Sequence, residues 1–84
     1  MNVLKIGQIV RSRAGHDKNQ FFVIMGMDGQ YIYLADGKAR PIAKPKRKKI
    51  MHVSVTANYI DTEELTDKRL RKIVCEFNGK HLNV

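Results

Sequence analysis

Apolar positions in the first half of the chain fall in short runs punctuated by Asp-Gly pairs. In FFVIMGMDGQYIYLADGKARPIA, Asp28-Gly29 and Asp36-Gly37 each stand between apolar segments, and Asp-Gly supplies the positive backbone angles that tight hairpin turns require. Three consecutive antiparallel strands are therefore expected, over 20–26, 30–35 and 38–43. Upstream, KIGQIVRSRA sets Ile6, Gln8 and Val10 on one face and Gly7, Ile9, Arg11 and Arg13 on the other. That imperfect alternation suits a first strand twisting out of the core. Downstream, KIMHVSVT alternates Met51, Val53 and Val55 with Ile50, His52 and Ser54, a fifth short strand. Strands this short cannot build two packed sheets, so the expected arrangement is a small barrel, with Pro41 and Pro45 limiting pairing where the fourth strand runs out.

The pattern then changes period. In LTDKRLRKIVCEFNG, Leu70, Ile73, Val74 and Phe77 recur at i, i+3, i+4 and i+7, one face of a helix of about three turns. Thr66 is placed to cap it, Asp67 puts a negative charge in its first turn, Leu65 can staple onto Leu70, and Gly79 is positioned to end it. The fold class expected is mostly β: a five-stranded barrel over residues 1–60 with a C-terminal helix over 61–84 packed on it, a single domain overall. Cys75, the only cysteine, lies beside the apolar stripe and is expected to be covered and unreactive.

Charge adds what hydropathy does not show. The net charge is +8, yet residues 1–37 hold four bases against three acids and residues 53–84 five against five. The excess sits in residues 38–52, where Lys38, Arg40, Lys44, Lys46, Arg47, Lys48 and Lys49 meet no acid. KPKRKK, Lys44–Lys49, repels itself and is expected to stand in water rather than in a core. A solubilising surface intersperses both signs, so an unneutralised block points to a polyanion, nucleic acid ahead of an anionic membrane, an import signal or a bland loop. No stretch approaches the roughly 20 apolar residues of a membrane helix, so no membrane partner is expected. The lone cysteine suits a reducing compartment, and the location expected is cytoplasmic.

Enzyme chemistry finds little support. His16, His52, His81 and Cys75 include no pair at zinc spacing, Ser12 and Ser54 lack the glycines of a nucleophile elbow, and AGHDKNQ is not a phosphate-binding loop. Glu63 and Glu64, ahead of the helix, read as solvated charges. No catalytic residue, metal, cofactor or small-molecule substrate is expected. In YIYLA, Ile32 and Leu34 point one way and Tyr31 and Tyr33 the other. The tyrosines either offer outer-face platforms for single-stranded bases, at about 1–3 kcal/mol each, or pack beneath the helix.

Gly7 to Val53, GQIVRSRAGHDKNQFFVIMGMDGQYIYLADGKARPIAKPKRKKIMHV, resembles a KOW-motif domain, the small SH3-like barrel of several large-subunit ribosomal proteins and of transcription elongation factors. The likeness rests on Gly7 opening the first strand, apolar Val10, the Ala14-Gly15 turn, Asp17-Lys18, Phe22-Val23 entering the second strand, and the basic run before a final strand. It departs at Met51-His52, where the family often has Lys-His. The resemblance implies a ribosome-associated role in translation, with ribosomal RNA as partner and ribosomal proteins nearby. RNA would be gripped by Lys44, Lys46, Arg47, Lys48 and Lys49, assisted by Arg11, Arg13 and Lys18, with His16 and His52 beside them and Gly15 shaping the loop. The alternative is a protein-interaction module whose basic loop serves acidic partners.

Overall fold

The computed structural model describes residues 4–82. β1 (Gln8–Ser12), β2 (Phe21–Asp28), β3 (Tyr31–Ala35), β4 (Lys46–Lys49) and β5 (Val53–Tyr59) form one antiparallel sheet in the order β4-β3-β2-β1-β5, and α1 (Asp67–Leu82) follows. The fold is thus mostly β, five strands with a single C-terminal helix, in agreement with the expectation. β4 and β1 are three places apart in the sheet, about 14 Å if it were flat, yet Lys48 Nζ on β4 lies 2.7 Å from Ser12 Oγ on β1. Side chains of that length bridge such strands only if the sheet curls on itself, which makes the fold barrel-like.

The unbroken apolar run Phe21–Ile24 follows from burial on both faces. Val10, Phe22, Ile24, Ile32, Leu34 and Val53 fill the inside of the curl, while Ile9, Phe21, Val23 and Ala35 lie outside it beneath Leu70 and Val74 of α1. Successive strand residues point to opposite faces, so a strand with a core on each side has no polar positions to alternate with. Each large side chain so buried contributes about 1.5–3 kcal/mol. The first Asp-Gly pair makes the expected hairpin one residue out of place: Asp28 ends β2 and pairs with Tyr31, and the two-residue turn is Gly29-Gln30, with a positive φ, +60°, at Gly29 alone.

The second Asp-Gly pair does not make a hairpin, and no strand forms over 38–43. Asp36 Oδ1 accepts the backbone N–H groups of Lys38 (2.9 Å) and Arg40 (2.8 Å), and Asp67 Oδ1 accepts that of Ile42 (2.8 Å). Pro41 has no N–H to give. With its donors committed to carboxylates, the segment cannot join a ladder, and the fourth strand is instead KRKK itself, paired with β3 from Tyr31↔Lys49 to Leu34↔Lys46.

β5 also begins later than expected. Ile50–His52 form a 3-10 turn that leaves Met51 70% exposed, while Val53 and Val55 face the inner core as the alternation required. In α1 the cap is as expected: the Arg69 N–H donates to Thr66 Oγ1 at 3.2 Å, and Leu65 joins Leu70 in the cluster under the helix. The helix runs through Gly79 to Leu82, however. An interior glycine costs a helix about 1 kcal/mol, which packing elsewhere along it readily exceeds. Cys75 is exposed rather than covered. Leu70 and Val74 fix the buried direction, and one residue past Val74 the helix has turned about 100° towards water.

Candidate nucleic-acid interface

Forming a strand divides the basic run by parity. Lys46 and Lys48 point to one side of β4, Arg47 and Lys49 to the other. Lys48 is buried, at 8% exposure, so the expectation that every cation of the run stands in water fails there. Its ammonium meets Asp17 Oδ1 at 2.6 Å, Ser12 Oγ at 2.7 Å and the Ala14 carbonyl at 2.9 Å, one acceptor for each of its three N–H groups. Lys46 Nζ takes the other carboxylate oxygen, Oδ2, at 2.9 Å. A fully satisfied ammonium with a counter-ion is the condition under which a lysine can be buried.

Asp17 is the centre of this network. Burial pushes its carboxyl up, but hydrogen bonds from Lys48, Ser12 and Lys46, with the Lys48 charge, outweigh it and hold the group well below the usual carboxylate range. The network fixes the loop between β1 and β2. Lys18 N–H donates to the Gly15 carbonyl at 3.2 Å, Gln20 N–H to Asp17 at 3.0 Å, and Gly15 turns the chain at φ +87°. That angle favours glycine. Asn19 shares it, at φ +73°.

Between this loop and the outer side of β4 lies an open cleft of about 450 Å³, with Ala14, Gly15, Tyr31, Arg47, Lys49 and His52 among its walls. The Arg47 guanidinium sits 4.4 Å above the centroid of the Tyr31 ring, within cation–π range. Arg47, Lys49 and His52 are exposed and Tyr31 is half-buried. The cleft therefore presents two fixed cations, one aromatic face and a loop with no side chain at Gly15. Such a set suits a phosphate with a neighbouring planar group.

The remaining expected residues are distributed around this cleft. His16 and Lys18 are exposed on the loop beside it, and Lys44 is exposed ahead of β4. Arg13 lines a different, largely apolar groove with Leu4, Met27, Ile50, Met51 and Val53. Arg11 is half-buried and lines a third hollow with Phe21 and Thr56, so the structure does not bring it to the others. Tyr33 is half-buried opposite Arg47 on the ladder and belongs to no part of the cluster beneath α1; nor does Tyr31. Sequence reasoning missed the roles of Ser12 and Asp17. The available signal was that Asp17 is the one acid amid the cations of 11–18. Among the described residues no helix is long and apolar enough to cross a membrane, and no group of three His, Cys, Asp or Glu is placed to hold a metal ion. Comparison with protein-family models and with curated proteins finds no match to this chain.

Proposed function

We propose that this chain is a non-enzymatic RNA-binding protein of the KOW kind, acting on the ribosome in the cytoplasm with ribosomal RNA as its partner. The observation that carries the reading is the cleft in which Arg47, over the Tyr31 ring, and Lys49 stand outward beside the glycine-turned loop. Phosphates would be held by Arg47 and Lys49, with His16, Lys18, Lys44 and His52 around them, and an unstacked base would lie against Tyr31. Lys48 is excluded from this work by its burial against Asp17, and Lys46 has its ammonium drawn to the same carboxylate. Their task is to hold loop and strand at a set distance, which lowers the ordering cost of binding.

The test is the salt dependence of binding to a hairpin RNA. Replacing Arg47 and Lys49 by glutamine removes two phosphate contacts, and the slope of log affinity against log salt is expected to fall by about 1.5, at about 0.7–0.9 per contact. The melting temperature should stay near that of the parent, since exposed charges contribute little to stability. An unchanged slope and affinity would refute the reading.

A second reading has an observation of its own. The groove lined by Leu4, Met27, Ile50, Met51, Val53 and Val55 has a volume of about 580 Å³, and Met27 and Met51 are 47% and 70% exposed beside Arg13. This supports a protein-interaction module that takes an apolar segment carrying acids to meet Arg13. Met51→Glu should then abolish capture of such a ribosomal-protein segment and leave the RNA salt slope as it was.

A further inference from the structure

The charge balance of residues 53–84 is zero, and on that count α1 has no part in binding a polyanion. Its bases are nonetheless gathered in space. Lys68, Arg69, Arg71 and Lys72 occupy the first two turns and are all exposed. Cations near a helix N-terminus oppose the macrodipole, so helix stability is not what these positions serve.

The 36–45 loop is locked to those same turns. Gly37, at φ +78°, lies so close to the helix that a Cβ there would overlap the Asp67 carbonyl and come within 2.8 Å of the Arg71 nitrogen. The Ile42 N–H donates to Asp67 Oδ1. With about 100° between successive residues, Arg71 lies one turn after Asp67 on the flank that meets the loop, and Lys68 is its i, i+3 neighbour on the outer side of that flank. Lys38 and Arg40 of the loop are also exposed.

Neither carboxylate at the contact forms an ion pair with these cations. Asp36 is occupied by the Lys38 and Arg40 backbone and Asp67 by Ile42, and among the described residues the ion pairs are those of Asp17 with Lys46 and Lys48. Of the five acids that cancel the sum, Asp61, Glu63 and Glu64 lie on the segment arriving from β5, ahead of the cap, and Glu76 lies on α1 one turn beyond Lys72. Arg40 also lines a hollow with His16 and Lys46, shared with the hydrogen-bonded carboxylates of Asp17 and Asp36, which joins this surface to the loop of the first cleft.

We infer that Lys38, Arg40, Lys68 and Arg71 form a second phosphate-binding surface, continuous through Arg40 and His16 with the Arg47 cleft, so that one RNA is held along both. The inference rests on the RNA-binding reading above and extends it from a single cleft to a track. A ligand using the whole track must be long. The molecule measures 32 Å in its longest direction, so a hairpin of about ten base pairs, at about 3 Å per pair, is the probe to use.

Binding of that hairpin is measured against salt for the parent, Lys68→Gln with Arg71→Gln, Arg47→Gln with Lys49→Gln, all four together, and Lys68→Arg with Arg71→Lys. Each glutamine pair is expected to lower the slope by about 1.5, the four together by about 3, and the conservative pair to keep the parental slope. Far-ultraviolet spectra and melting temperatures identical to the parent's show that the variants are folded, as exposed positions should allow. If the Arg47 and Lys49 pair lowers the slope and the helix pair does not, the second surface is refuted and the RNA reading stands. If the parent binds anionic phosphatidylserine vesicles and not the hairpin, both fall.

Discussion

Lys48 and Lys49 are adjacent, chemically identical and opposite in consequence. Lys48 is enclosed by Ser12, Ala14 and Asp17, whereas the Lys49 side chain is exposed on the other side of β4. Lys48→Gln leaves Asp17 partly buried with one cation, Lys46, and is expected to cost about 3 kcal/mol, the lower end of the range for breaking a buried pair. Lys49→Gln should stay within about 0.5 kcal/mol of the parent. Urea midpoints measured side by side check the contrast, and equal midpoints would mean that the Asp17 network contributes nothing. The same pair marks the limit of sequence reading. Strand parity was readable only once the run was known to be a strand, and a window of five cations with a proline gives no local signal for one. Asp17, the group that makes the strand possible, is 31 residues from Lys48.

At the scale of elements, legibility followed locality. The β2–β3 hairpin and the cap and stripe of α1 are set by neighbours in sequence, and they stand where periodicity put them. The loop after β3 depends on Asp67, 25 residues from the Ile42 that it binds, so its departure from a hairpin was not visible in the local pattern. Gly37 carries that contact. Gly37→Ala would force a side chain against the α1 backbone at a positive φ, and is expected to destabilise by more than the 1 kcal/mol or so typical of a glycine in the left-handed region alone. Thr66→Ala removes one capping bond and should cost about 1 kcal/mol. Thermal melts of the two variants should rank them in that order.

For the whole molecule, the Asp17 network ties the outermost strand β4 to β1 and so closes the curl, which makes closure sensitive to acid. The Asp17 carboxyl titrates lower in the folded chain than in the unfolded one, so its contribution is fully present above the unfolded value of about 4. It is lost progressively as the pH falls below that value into the strongly acidic range, because the unfolded chain then binds the proton more readily. Stability measured in urea between pH 7 and pH 2 should decline over that interval in the parent and much less in Asp17→Asn, which starts lower. A parallel decline in both would assign the acid sensitivity to other groups.

The two-sided burial of β2 bears on how the chain is made. Synthesis proceeds from the N-terminus, so the strand containing Phe21 and Val23 is complete long before Leu70, Val74 and Phe77 leave the exit channel to cover its outer face. During that interval the nascent chain carries FFVIM, an uncharged, proline-free segment of high β propensity, with one face bare. Chains halted at residue 66 are expected to self-associate and sediment, while those extended through α1 remain monomeric at the same concentration. By that measure the last element to be made is the one that covers the face of the sheet most apt to stick.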